Sequence, residues 1–242
     1  EEVPISYGLV IDNSGSLKEQ LNNVVEAGKM IINSNRPEDE TLLVRFVGSD
    51  RIENLQDFTS TTAALRDALD ELYVEEGQTA LIDALYVSAG RVAEYKRSDP
   101  LFRQRALVLI TDGEDRASFY KEDQLFKRLR ESGVQIFAIG LVGELRGAGP
   151  LRTGPRGRAV NLLKRLAEAS GGRALFPSTP AELLNAANQV SRYLHTQYVV
   201  GYRPTPKRRN NPFRRVHVKL VDTVNREKHT ASTRAGYIAP SG

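Results

Sequence analysis

The stretch Ile5-Ser6-Tyr7-Gly8-Leu9-Val10-Ile11-Asp12-Asn13-Ser14-Gly15-Ser16 decides the fold of this 242-residue chain. An apolar run ending at Ile11 is broken by Asp, Asn, Ser and Gly, which reads as a buried strand entering a tight loop. The loop carries a carboxylate at position 12 and hydroxyls at 14 and 16. In near-extended backbone, alternate side chains point the same way. Three hard oxygen donors on one side of a backbone suit Mg²⁺ or Mn²⁺ better than Zn²⁺ or copper. One carboxylate and two hydroxyls cannot fill six coordination positions, so other segments, water or a partner must complete the shell.

A second apolar run, Ala106 to Ile110, leads into Thr111-Asp112-Gly113-Glu114-Asp115 and repeats the pattern of strand, carboxylate and glycine turn. Between the two runs, Glu76-Gly77-Gln78-Thr79 precedes the periodic segment Ala80 to Tyr95. Each residue also has a purely local role open to it. Thr79 is a good helix N-cap, Ser14 and Ser16 could cap a helix starting near Leu17, and Asp112 is a turn former. Open α/β sheets, however, place ligands beyond the carboxyl ends of their strands. In that arrangement two strand-end aspartates and a hydroxyl-bearing loop meet in one crevice.

The rest of the chain alternates regularly. Strands are expected at 5–11, 41–48, 104–111 and 134–141, with shorter ones near 51–56 and 173–176. Helical spacing of apolar residues marks 17–34, 61–73, 80–96, 121–132, 159–170 and 181–195. Such alternation implies a mainly parallel sheet covered on both faces, an α/β doubly wound fold. After about residue 196 the helices stop. Segments 197–203, 214–221 and 230–237 read as strands of a small antiparallel unit. Three strands are marginal alone, so this unit should pack on the first domain or on a partner. The expected division is 1–195 for the α/β domain and 196–242 for a C-terminal β extension.

The pattern Asp12-x-Ser14-x-Ser16, with Thr79 and Asp112-Gly113 further along, resembles the metal-ion-dependent adhesion site of von Willebrand factor type A domains. The strand contexts Tyr7-Gly-Leu-Val-Ile-Asp12 and Leu107-Val-Leu-Ile-Thr-Asp112-Gly are also similar to that family, over roughly residues 3 to 195. The resemblance implies a Rossmann-like, six-stranded sheet with one antiparallel edge strand. It also implies metal ligation by Asp12, Ser14, Ser16, Thr79 and Asp112, the aspartates directly or through water. The tail adds a narrower likeness. Tyr198-Val-Val-Gly-Tyr202-Arg-Pro204, Phe213-Arg-Arg-Val-His-Val218 and Arg234-Ala-Gly-Tyr237 resemble a VWFA-related family often found in Acidobacteria. That likeness implies an exported protein (periplasmic, cell-surface or secreted) with no assigned enzymatic activity.

Composition bounds the chemistry. The chain is 40% hydrophobic, enough for a sizeable core. No apolar stretch approaches the length of a membrane span. No leader precedes the strand near Ile5, so the expectation is a chain trimmed by export processing or by deliberate truncation. The absence of cysteine excludes disulfides, thiolate metal sites and thiol nucleophiles. All three histidines, His195, His217 and His229, fall in the last fifth of the chain, which argues against a His-based zinc site in the first domain.

Charge is uneven. Residues 197–242 hold ten Lys/Arg and two Asp/Glu, a net of +8, and the remainder carries −4. The densest part, Arg203 to Arg215, reads as a patch for an anionic polymer or as a solvated loop protecting a strand edge. Only Phe213 interleaves with these basic residues, too few aromatics for a nucleic-acid stacking platform. A Gly-, Pro- and Arg-rich segment, Glu144 to Arg158, follows the strand at 134–141. If that strand neighbours 104–111, Arg146, Arg152, Arg156 and Arg158 should emerge near Asp112 and steer an acidic partner toward the metal.

Three functions compete. The first is a divalent-cation-dependent protein-binding module in which a partner's Asp or Glu takes the sixth metal position. The second is a metal-dependent phosphohydrolase, with Asp12 as nucleophile and Glu114 or Asp115 as acid or base. Position 14 is Ser where such phosphatases usually carry an acid–base Asp, and no histidine lies in the first domain to act as base. The third is a structural or envelope-assembly protein that binds through its basic β tail. Neither a Gly-x-Gly-x-x-Gly loop nor a Gly-Lys-Ser/Thr phosphate loop is present.

Overall fold

The computed structural model describes residues 3–145, 154–197, 213–219, 231, 233–234 and 236–238. In chain order the elements are β1 (Ile5–Asp12), a 3₁₀ segment (Gly15–Gln20), α1 (Leu21–Asn33), β2 (Glu40–Phe46), β3 (Ile52–Thr59), α2 (Thr62–Asp70), α3 (Leu81–Glu94) and β4 (Gln104–Thr111). They continue with α4 (Glu122–Ser132), β5 (Gln135–Gly140), α5 (Pro155–Ser170), β6 (Arg173–Leu175), α6 (Pro180–His195), β7 (Phe213–Arg215) and β8 (Gly236–Ile238).

Strands β1 to β6 form one sheet in the order β3-β2-β1-β4-β5-β6. All neighbours are parallel except β3, which runs antiparallel to β2 at the edge. The central strand β1 is buried along its whole length, which explains its continuous apolar run. Its two faces feed two cores. Tyr7, Leu9 and Ile11 pack with Val24, Ile31, Leu69 and Val190 of α1, α2 and α6. Val10 packs on the opposite side with Leu85, Leu125 and Leu163 of α3, α4 and α5.

From β1 the sheet grows through β2 in one direction and through β4 in the other. The reversal leaves a crevice at the carboxyl ends of β1 and β4, the usual ligand position in such sheets. Parallel pairing sets Ile11 beside Ile110, so Asp12 and Thr111 end their strands side by side.

The expected helix 17–34 is divided. Its first turn is a 3₁₀ segment and the α-helix begins at Leu21. Leu17, Val24, Gly28 and Ile31 nevertheless bury one face, as their spacing requires. Helix α6 starts where its sequence says it should: the Thr179 hydroxyl accepts from the Glu182 amide at 3.2 Å, and Pro180 occupies the first turn.

Strands β7 and β8 pair antiparallel as a second, two-stranded sheet, with Arg214 opposite Tyr237. Of the expected strand 197–203, all but Gln197 lies outside the described residues. Among the described residues the other two are three residues each. Arg234 passes so close to Gly171, the C-cap of α5, that a Cβ there would sit 2.5 Å from the Arg234 amide nitrogen.

Candidate functional site

Two strand ends and one inter-helix loop build the crevice. Asp12 closes β1, Asp112 follows β4, and Thr79 precedes α3. Asp12 and Asp112 are each 1% exposed, Ser14 2% and Thr79 5%. Burying four polar residues together costs free energy unless each finds partners.

Asp12 is held from two directions. Its Oδ1 accepts the Ser14 amide at 3.0 Å and its Oδ2 accepts the Thr111 hydroxyl at 2.6 Å. Thr111 Oγ1 in turn accepts the Gly113 amide at 3.0 Å. Asp112 Oδ1 accepts the Glu114 amide at 2.9 Å, so the turn-former role of Asp112 is real. Its Oδ2 accepts the Ser16 hydroxyl at 2.7 Å, and Ser16 Oγ lies 3.0 Å from Ser14 Oγ. Gly113 turns the chain with φ +81°, where a Cβ would meet Ala159 of α5 at 2.9 Å.

The capping roles do not hold for the hydroxyls. Ser14 sits at the N-cap position of the 3₁₀ segment but makes no side-chain cap bond. Ala80, not Thr79, is the N-cap residue of α3, so the Thr79 hydroxyl does not fill that role. Ser14, Ser16 and Thr79 instead face one cleft of about 220 Å³.

Oxygens bound to Mg²⁺ at 2.0–2.1 Å in an octahedron lie about 2.9 Å apart along each edge. The steps from Ser14 Oγ to Ser16 Oγ and from Ser16 Oγ to Asp112 Oδ2, 3.0 and 2.7 Å, match that edge. These donors suit a hard divalent cation and leave coordination positions open. Among the described residues no group of three or more His, Cys, Asp or Glu forms an alternative metal cluster.

Burial, and then the nearby charge of Asp112, push the Asp12 carboxyl up from 3.8 to about 6. Hydrogen bonds from Ser14 and Thr111 oppose the rise without cancelling it. Burial disfavours the charged form, and a second carboxylate close by disfavours it further.

The loop after Asp112 is tied to the start of α3 by Asp115 and by two side chains the sequence did not single out, Asp83 and Ser118. Asp83, 3% exposed, accepts the amides of Phe119 and Tyr120, both at 2.8 Å. Asp115 Oδ1 accepts the Ile82 amide at 3.1 Å, and Ser118 Oγ accepts the Asp83 amide at 3.1 Å. The Thr79 carbonyl accepts the amides of Arg116 and Ala117 at 2.8 and 3.1 Å. From sequence, Asp83 reads only as a first-turn acid complementing the helix dipole. Its lock on a loop 36 residues away needs the tertiary structure.

The arginine hypothesis fares unevenly. β5 does neighbour β4. Arg146 and Arg152 lie outside the described residues. Arg156 and Arg158 belong to the first turn of α5 rather than to a loop, and neither lines the cleft. Proline at the first helical position and glycine before it start that helix earlier than apolar spacing indicated.

The von Willebrand factor type A domain model matches residues 8–190. This chain belongs to that family. VWA domains are metal-dependent adhesion and interaction modules. No curated protein sequence matches the chain. Among solved structures, a von Willebrand factor type A protein from Catenulispora acidiphila superposes with TM-score 0.62 at 18% identity, over 79% of this chain and 43% of that one. Proximal thread matrix protein 1 from the mussel byssus, with a zinc-occupied MIDAS motif, gives 0.61 at 17% identity, over 78% of this chain and 48% of that one. An aerotolerance-related membrane protein from Bacteroides fragilis gives 0.57 at 18% identity, over 78% of this chain and 99% of that one. The chain therefore spans less than half of the first two and nearly all of the third. At these identities the likeness establishes the VWA fold. No helix among the described residues is long and apolar enough to cross a membrane.

Proposed function

We propose that this VWA domain is a divalent-cation-dependent protein-binding module. Its metal-ion-dependent adhesion site would consist of Asp12, Ser14, Ser16, Thr79 and Asp112, with Mg²⁺ or Mn²⁺ as the ion. The observation that carries the reading is the edge-spaced array Ser14 Oγ, Ser16 Oγ and Asp112 Oδ2. Both Asp12 oxygens are already engaged by Ser14 and Thr111, so Asp12 acts on the ion from behind these donors. The ion would supply an electrophilic position, which the carboxylate of a partner's Asp or Glu fills. Ser14, Ser16 and Thr79 orient the ion, and the Asp83 lock keeps the start of α3, beside Thr79, on the loop after Asp112.

The reading as an interaction module rather than an enzyme has local support. Asp115 is engaged by Ile82 and Ser118, and Glu114 is ion-paired with Arg116. His195 lies on α6 and bonds Asp39. The candidate acids and bases thus have structural partners. We further propose the domain limits 1–195 and 196–242, with the β extension packed on the α/β domain near α5. Export and membership of the Acidobacterial VWFA-related group rest on the tail motifs.

Titration calorimetry with Mg²⁺, Mn²⁺ and Zn²⁺ tests the site on the wild type and a Ser14→Ala/Ser16→Ala variant. Mg²⁺ or Mn²⁺ binding that the double substitution abolishes supports the assignment. Equal binding by both proteins refutes it. Capture of a partner in Mg²⁺ and its release by EDTA supports the metal-dependent module. Metal-independent capture by residues 196–242 supports envelope assembly through the tail instead.

A further inference from the structure

Arg116 and Glu114 line the same cleft as Ser14, Ser16 and Thr79. Four carboxylates belong to this site: Glu76 and Glu114 line the cleft, and Asp12 and Asp112 stand behind Ser14 and Ser16. A divalent ion offsets only two of them. An incoming carboxylate therefore meets net negative charge unless another cation faces it. Among the described residues, Arg116 is the cation lining the cleft.

Its backbone is fixed. The Arg116 amide donates to the Thr79 carbonyl at 2.8 Å, and the next amide donates to the same oxygen. The Ser49 hydroxyl holds the Ala117 carbonyl at 2.7 Å. The Arg116 side chain is 62% exposed and can move, while its root is tied to the loop bearing Thr79. In this structure its Nη2 pairs with Glu114 Oε2.

We propose that Arg116 is a specificity-determining clasp for the partner's acidic side chain, and that Glu114 is its intramolecular competitor. The inference rests on the metal-site reading above. The metal takes one oxygen of the partner carboxylate. The planar guanidinium fork, matched to carboxylate geometry, takes the other. Glu114 occupies that fork until a partner carboxylate replaces it. The clasp rewards a carboxylate over the isosteric amide, which the fork cannot pair in the same way.

The two residues make opposite predictions, and that separates the clasp from a merely structural ion pair. Arg116→Ala and Glu114→Gln both break the pair. A structural role moves both variants in the same direction. A clasp with a competitor moves them oppositely.

The probe is blocked aspartate (N-acetyl-aspartate N-methylamide), with the asparagine analogue as control. Mn²⁺-loaded protein is titrated with each, and methyl-proton relaxation enhancement reads proximity to the ion. Mn²⁺ electron resonance first establishes that the ion binds and that each variant is saturated. The expected results are enhancement for the aspartate probe only and about tenfold weaker probe binding in Arg116→Ala. Glu114→Gln should bind the probe more tightly than wild type. Shifts of both variants in one direction, or of neither, overturn the clasp while leaving the metal site standing. Failure of the wild type to bind Mn²⁺ overturns the metal reading and the clasp with it.

Discussion

Replacing Asp112 with Asn should stabilise the metal-free domain at neutral pH and remove its response to metal. Without an ion, Asp12 and Asp112 stand buried beside each other, each 1% exposed. Burial and the Asp112 charge raise the Asp12 carboxyl from 3.8 to about 6. The sign follows from proton linkage. Between those values the folded state holds a proton that the unfolded state has released, so stability falls as pH rises through that window. Above about pH 6 the full penalty applies, about 3 kcal/mol for a rise of this size. Burial is the larger cause, so removing the Asp112 charge recovers the smaller share, about 1 kcal/mol.

Asparagine can keep the local bonds. Its Oδ1 accepts the Glu114 amide, and its Nδ2 can donate to Ser16 Oγ. Urea unfolding in EDTA at pH 7.5 should therefore find Asp112→Asn about 1 kcal/mol more stable than wild type, or about 2–4 °C in Tm. At pH 4, where Asp12 is protonated in both folded proteins, the gap should close. Mg²⁺ at a hundred times its Kd should stabilise the wild type by about 2.7 kcal/mol and reverse the order. A gap of constant size from pH 4 to 7.5 would refute this reasoning. So would a variant less stable than wild type in EDTA at pH 7.5.

Two further outcomes follow from single contacts. Gly113→Ala places a Cβ 2.9 Å from Ala159 at φ +81° and should cost about 2–4 kcal/mol in urea unfolding; a loss under about 0.5 kcal/mol would contradict the packing. Asp39→Ala strands the Ile5 and Arg36 amides and frees His195, and should cost about 2–4 kcal/mol at pH 7. Burial pushes the Asp39 carboxyl up, but the bonds from His195, Arg36 and Ile5 bring it below its ordinary value. Its contribution is therefore present above about pH 4 and lost as the pH falls further, so the wild-type advantage over Asp39→Ala should shrink in acid. An advantage that persists unchanged at pH 2 would contradict that account.

By itself the sequence determined the alternation of strands and helices, because apolar periodicity is a local record of which face each element buries. It also pointed to the proposed donor residues, since Asp12, Ser14 and Ser16 share one loop and their chemistry is written in order. Asp112 was legible for the same reason, as a carboxylate directly beyond a buried strand. Element ends were less legible. Pro155 starts α5 before its first buried residue, and the turn carrying Ser16 is 3₁₀ rather than α.

Only the tertiary structure decided that these donors meet. The reversal of strand order at β1 and β4 brings Ser16 within 2.7 Å of a carboxylate 96 residues away. It also decided which neighbours matter. Thr111 became the partner of Asp12 through parallel register, and Asp83 became the lock between two loops. Among the described residues the arginine lining the cleft is Arg116, while Arg156 and Arg158 stand in the first turn of α5. Charge density along the chain cannot reveal such a position, because what a side chain faces depends on backbone bonds between residues distant in sequence. The Thr79 carbonyl holding the Arg116 amide is one of them.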